Sequence, residues 1–186
     1  VLCWNAEGMR SKKEELAKIL KEESIDVICL QETKLTKTTE CKISGYHEIR
    51  KDRQIGRRTG EYDNKGGGIA TLIKDGISYK EVKINHLKPE DKTTETHTTE
   101  VWKDGLKVKL TNLYIPPIRQ NERDNRTQEF DPEYLPWTTT DIIMGDMNAH
   151  AYDWDINSNE DELGERIRDV ALASGYNILN DQSPTL

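Results

Sequence analysis

A chain of 186 residues carries enough apolar material for one domain with a core and too little for two ordinary ones, and no internal repeat divides it. Its charged fraction of 33% nearly equals its hydrophobic fraction of 34%, but the apolar residues gather into periodic runs between turn signals, which excludes a disordered coil. A net charge of −7 excludes nucleic-acid binding through bulk charge, so such a partner would need a local basic patch or a bridging divalent cation.

Val1-Leu2-Cys3-Trp4 is apolar from its first residue and predicts a strand with almost no lead-in, as if the chain were trimmed at that end. Asn5 and Gly8 close it. Ser11-Lys12-Lys13-Glu14 fits a capping box, in which serine and glutamate side chains satisfy orphan backbone N–H groups; losing the serine should cost about 1 kcal/mol. Leu16, Ile19 and Leu20 then share one helical face. Ile25 to Leu30 predicts a mostly buried strand. A strand, helix, strand unit places its two strands parallel, so Asn5 after the first and Glu32 after the second should emerge at the same sheet edge, where open α/β sheets bind ligands. A carboxylate after a strand is ordinarily only solvated surface; the convergence with Asn5 is what singles out Glu32.

Lys34 to Gly60 is polar and predicts a surface loop, with one basic concentration at Arg50, Lys51, Arg53, Arg57 and Arg58. Such a run is most often a solvated face; as a functional element it would supply a local patch that tracks phosphates. Gly66-Gly67-Gly68 lacks the strand-then-helix setting of a phosphate loop and leads instead into a strand at Ile69 to Ile73. Lys74-Asp75-Gly76 predicts a hairpin turn with Ile77 to Ile84 as the return strand. Asn85 to Thr96 reads as a surface excursion, Thr98 to Trp102 as a strand, and Asp104-Gly105 as the turn into an alternating strand from Leu106 to Ile115. Pro116-Pro117 stops that strand just beyond Tyr114, whose position is most often that of a rim-packing residue. A short helix near Thr127 to Phe130 should end at Pro132.

Asp141-Ile142-Ile143-Met144-Gly145-Asp146-Met147-Asn148-Ala149-His150 runs from an apolar strand into an acid, an amide and an imidazole. A strand ending at Gly145 would project Asp146 and Asn148 to one side, setting a carboxylate able to hold a water or a metal beside a neutral amide. Leu163, Ile167, Val170 and Ala171 mark a helix over Glu160 to Ser174, Gly175 suits a left-handed cap, and Tyr176 to Leu179 predicts a last strand. Parallel pairing early and hairpins later make the sheet content mixed. Cys3, Cys29 and Cys41 have no metal-ligand spacing, and Cys3 and Cys29 read as small core residues of a reducing compartment, nuclear or cytoplasmic. No signal peptide and no run long enough to span a bilayer is present in this sequence.

Trp4-Asn5 with Gly8, Leu30-Gln31-Glu32-Thr33, Asn112 to Pro117 and Gly145 to His150 follow the order and approximate spacing of the endonuclease/exonuclease/phosphatase superfamily, which the chain resembles over nearly its whole length. The asparagine-alanine-histidine ending, the double proline after the tyrosine and Ser183-Pro184-Thr185 look most like the apurinic-type endonuclease domains of non-LTR retrotransposons. The resemblance implies one domain over residues 1–186, a four-layer α/β sandwich of two mixed β-sheets packed face to face with helices outside. It implies a Mg²⁺-dependent DNA endonuclease, with Mn²⁺ as an alternative ion, DNA as partner and no membrane, from a polyprotein that also carries a reverse transcriptase and nicks target DNA for retrotransposition. Glu32 would be the principal metal ligand with Asn5 assisting; Asp146 would activate the attacking water, Asn148 would position that water or a phosphate oxygen, and Tyr114 would bond the scissile phosphate. His150, Arg57 and Arg58 are secondary substrate-binding candidates.

Members of that superfamily also carry a late serine-aspartate-histidine segment, which this sequence lacks. The chain is therefore expected to be C-terminally incomplete, missing final strands, with its own activity in question. Two alternatives stay open: a phosphoesterase of the same fold acting on another substrate, and a non-catalytic DNA-binding or interaction module.

Overall fold

The computed structural model describes residues 1–53, 67–84, 87–89, 91, 93–117, 130–157 and 159–180. Two four-stranded sheets face each other. The first has the order β1 (Leu2–Asn5), β2 (Val27–Gln31), β4 (Ile69–Lys74), β3 (Tyr46–Lys51), with β1 and β2 parallel and the other pairs antiparallel. The second has the order β5 (Ser78–Val82), β6 (Glu95–Lys103), β7 (Leu106–Tyr114), β8 (Ile142–Asp146), antiparallel except for the parallel β7–β8 pair. Helix α1 (Met9–Glu22) covers the outer face of the first sheet and α2 (Glu162–Ala173) that of the second. The predicted mixed, four-layer α/β sandwich is what the chain forms.

The period-two alternation of strands assigns each layer its side chains. In β2, Val27 points inward to meet Ile73, Val101 and Leu110, while Ile28 and Leu30 point outward onto Met9 and Leu16 of α1. In β7, Leu110 points inward and Leu113 outward onto Leu163 and Ile167 of α2. Each fully buried Leu or Ile contributes roughly 1.5–3 kcal/mol, so three apolar seams hold the four layers together. The interior also holds a polar bridge: Gln31 Nε2 donates to Asn112 Oδ1 at 2.8 Å, and Asn112 Nδ2 donates to the carbonyls of Leu30 and Ala70 at 3.2 and 3.0 Å.

Several expectations are corrected. The stretch from Lys34 contains strand β3, whose polar sequence Tyr-His-Glu-Ile-Arg-Lys suits a sheet edge that faces water. Asp75-Gly76 does not join a hairpin: β4 is already flanked by β2 and β3, so the chain leaves for the other sheet and β5 pairs with β6. Ser11 is not a cap. The helix starts at Met9 behind Gly8, because Gly8 N and Met9 N donate to the Glu32 and Thr33 carbonyls, and the Ser11 hydroxyl donates back to Gly8 O at 2.8 Å.

Beyond β7, Phe130 is not helical and Pro132 opens a 3-10 turn (Pro132–Tyr134) with Asp131 as its cap, while the rest of the helix expected near Thr127 to Phe130 lies outside the described residues. Tyr176 to Leu179 is irregular; its Tyr176 hydroxyl donates to Thr140 O. Cys29 and Cys41 are buried, but Cys3, placed on the interior-facing phase of a sheet-edge strand, is exposed. Gly175 does take the left-handed cap, with φ 80°. Arg57, Arg58, Gly66, Thr127 and the Ser183-Pro184-Thr185 segment lie outside the described residues.

Candidate active site at the shared strand ends

Asn5, Tyr114 and Asp146 are the last residues of β1, β7 and β8, and Glu32 is the first residue beyond β2. The parallel pairs β1–β2 and β7–β8 bring their carboxyl ends to one rim, and alternation turns Asn5, Tyr114 and Asp146 into the gap between the sheets. The rim is closed by side-chain bonds. Asn5 Nδ2 donates across the sheets to Asp146 Oδ2 at 2.7 Å and lies 3.5 Å from Glu32 Oε1. The Tyr114 hydroxyl donates to the same Glu32 oxygen at 2.8 Å, and Lys34 Nζ sits 3.2 Å from the other.

Local backbone fixes these positions. Glu32 has φ 47° and Asn148 φ 44°, left-handed conformations that a glutamate rarely adopts, and backbone bonds from Gly8 to the Glu32 carbonyl and from Thr33 and Lys34 to the Gly68 and Gly67 carbonyls hold the turn. Gly145 is required by contact: a Cβ there would lie 1.7 Å from the Leu113 carbonyl oxygen, which is how closely β8 approaches β7. Asp146 Oδ1 accepts from Asn148 N at 3.1 Å, and Asn148 Nδ2 donates to Ile115 O at 2.8 Å, so the two residues after β8 fold back on the strand ends.

Burial pushes the Glu32 carboxyl up, but hydrogen bonds from Tyr114, Lys34 and Asn5 outweigh it and hold the group below its usual range. Tyr114 is driven the other way, by burial first and then by its bond to Glu32, so its phenol stays protonated and donates. The rim therefore offers an ionised carboxylate, a second carboxylate, an amide between them and a neutral hydroxyl. Mg²⁺ takes hard oxygen ligands, commonly one or two carboxylates with water and phosphate completing its shell, and the Glu32 and Asp146 oxygens fit that demand. Among the described residues no group of three or more His, Cys, Asp or Glu is placed to hold a metal ion. Asn5 enters through its amide nitrogen, since its Oδ1 accepts from Glu7 N at 3.1 Å; it couples the two carboxylates.

His150 stands apart from this network. Its exposed side chain has Nδ1 3.8 Å from Asp155, and its backbone N–H donates to Asp161, the cap of α2. Sequence placed Arg53 only within the basic run from Arg50 to Arg58 and did not single out Glu95. Arg53 packs its guanidinium 5.5 Å from the Tyr114 ring centroid and pairs with buried Glu95 at 2.6 Å. The one sequence signal for Glu95 was an acid opening a threonine-rich strand, which the structure sets opposite Tyr114 in the β6–β7 register.

Residues 2–181 match the profile of the Endonuclease/Exonuclease/phosphatase family. Among solved structures, the chain is similar to the endonuclease domain of TRAS1, a telomere-specific non-LTR retrotransposon, at 14% identity and a TM-score of 0.62, covering 97% of this chain and 74% of that one. It is also similar to the Xenopus laevis APE2 catalytic domain at 20% identity and a TM-score of 0.54, covering 88% and 63%. An AP endonuclease from Archaeoglobus fulgidus matches at 18% identity and a TM-score of 0.53, covering 92% and 70%. At these identities the likeness is one of fold.

Proposed function

The chain belongs to the endonuclease/exonuclease/phosphatase family, and from that premise we propose that it is a Mg²⁺-dependent endonuclease domain that nicks DNA, of the kind that serves retrotransposition beside a reverse transcriptase. The observation that carries this reading is the convergence of Asn5, Glu32, Tyr114 and Asp146 from four strand ends on one hydrogen-bonded rim. The retrotransposon assignment rests on the motif details at Pro116-Pro117 and Asn148-Ala149-His150.

In this reading Glu32 is the principal metal ligand, its carboxylate kept ionised and aimed by Tyr114 and Lys34, and Asn5 serves the metal site by tying Glu32 to Asp146. A divalent ion bound there would neutralise charge on the phosphodiester and polarise its phosphoryl oxygen. Asp146, gripped by Asn5 and by the Asn148 N–H, keeps lone pairs for the attacking water and takes its proton. Asn148, its amide plane fixed by the bond to Ile115 O, orients that water or a non-bridging oxygen. The Tyr114 O–H turns from Glu32 to the phosphate oxygen as charge develops there. Nicking of supercoiled plasmid in MgCl2, blocked by EDTA and lowered about 10²–10⁴-fold in Glu32→Ala and Asp146→Ala, is the expected result. Normal nicking by both variants overturns it, and duplex binding without cleavage, even in a chain extended by the superfamily's serine-aspartate-histidine segment, favours the non-catalytic alternative.

A further inference from the structure

We propose that Arg53 and the buried Glu95 are a positioning pair that fixes the Tyr114 ring, and with it the place of its hydroxyl oxygen beside Glu32, an inference that rests on the roles given above to Tyr114 and Glu32. Glu95 is 6% exposed and lies opposite Tyr114 in the β6–β7 register. Its Oε1 accepts from Arg53 Nε at 2.6 Å and its Oε2 from Gly68 N at 2.6 Å, so neither oxygen is free to turn. Arg53 then lies on the Tyr114 ring, 5.5 Å from the centroid.

Space for this has been made by the backbone. Gly67, at φ 76°, has no Cβ where one would stand 2.1 Å from Arg53 Nε. The same glycines reach the metal side of the rim, because the Gly67 and Gly68 carbonyls accept from Lys34 N and Thr33 N, directly after Glu32. The contacts form a closed circuit: Glu32 to its turn, the turn to Gly67-Gly68, Gly68 to Glu95, Glu95 to Arg53, Arg53 to the Tyr114 ring, and the Tyr114 hydroxyl back to Glu32. A guanidinium held over an aromatic face attracts the ring electrostatically and so opposes its turning away. Arg53 therefore acts through Tyr114 and is not itself a catalytic residue.

The test combines a spectroscopic readout with a mutant cycle on the whole chain. In protein labelled with ¹³C at the tyrosine ring, the Tyr114 signal is assigned by its loss in Tyr114→Phe. It should move in Arg53→Met and in Gly67→Ala, which keeps both charged groups but crowds the guanidinium. In plasmid nicking, Arg53→Met should lower kcat about 10–100-fold with KM nearly unchanged, and adding it to Tyr114→Phe should bring no further loss. A Tyr114 signal unmoved in both variants, or losses that multiply in the double variant, overturns the proposal. So does a raised KM at unchanged kcat, which would make Arg53 a direct phosphate contact. Absence of nicking by the parent chain would count against the proposed function alone, because the tyrosine signal decides the positioning role without turnover.

Discussion

Gln31 and Asn112 meet in the interior between the two sheets, side chain to side chain at 2.8 Å, each only 1% exposed. Gln31 directly precedes Glu32 and Asn112 stands two residues before Tyr114, so this bond sets the register of one sheet on the other immediately below the Tyr114–Glu32 contact. Asn112→Leu should leave the Gln31 amide and the carbonyls of Leu30 and Ala70 without their donor or acceptor, at about 1–3 kcal/mol for each buried group stranded. Urea denaturation should show a loss of several kcal/mol; a midpoint equal to the parent's would refute the bridge.

Glu32 makes stability depend on acid. Its folded value lies below the ordinary 4.5, so the stabilisation is fully present above that value and is lost as pH falls through the folded value. Denaturation of the parent and Glu32→Gln in metal-free buffer should diverge at neutral pH and converge in acid. Tyr114→Phe removes the leading hydrogen bond that lowers the value, so its curve should show a smaller acid-dependent contribution from Glu32.

Gly145 tests the closeness of β7 and β8. Gly145→Ala puts a methyl 1.7 Å from the Leu113 carbonyl oxygen, a clash with backbone that no rotamer relieves. Overpacking of this kind typically costs about 1–3 kcal/mol or more, and it shifts Asp146 from Asn5. A lowered melting temperature accompanied by lost nicking is expected, and a parent-like melting curve would contradict the strand geometry.

The two helix starts should respond differently to the same kind of substitution. Asp161 Oδ1 accepts from Gly164 N at 2.7 Å and Oδ2 from His150 N at 3.0 Å, so Asp161→Ala should cost about 1–2 kcal/mol. Ser11 caps nothing and its hydroxyl is exposed, so Ser11→Ala should stay within roughly 0.5 kcal/mol of the parent. Chemical denaturation of the two variants side by side reads the contrast.

If Glu32 is the principal ligand of an ion at the rim, MgCl2 should raise the parent's melting temperature, because a ligand that binds only the folded state stabilises it by mass action. Glu32→Ala should lose most of that rise. An equal rise in both proteins would place the ion elsewhere.

Strand and helix identities that rest on local pattern were legible in the chain: the apolar run of β2, the alternation of β7, the face of α1 and the left-handed cap at Gly175 each follow from periodicity or from one residue's permitted backbone. Legible too was the convergence of Asn5 and Glu32, since a right-handed parallel crossover leaves only one edge for both. Pairing that depends on a vacant edge was not legible. Asp75-Gly76 has hairpin chemistry, but β4 had no free side, and β3 is too polar to declare itself away from β4. The cap at Ser11 failed for the same reason, because the β2 turn had already claimed the helix start. Asn5 bonds Asp146 over 141 residues of chain, and Arg53 finds Glu95 and Tyr114 only after both sheets have closed. Such contacts leave no local periodicity, because side-chain distances between sheets are set by packing.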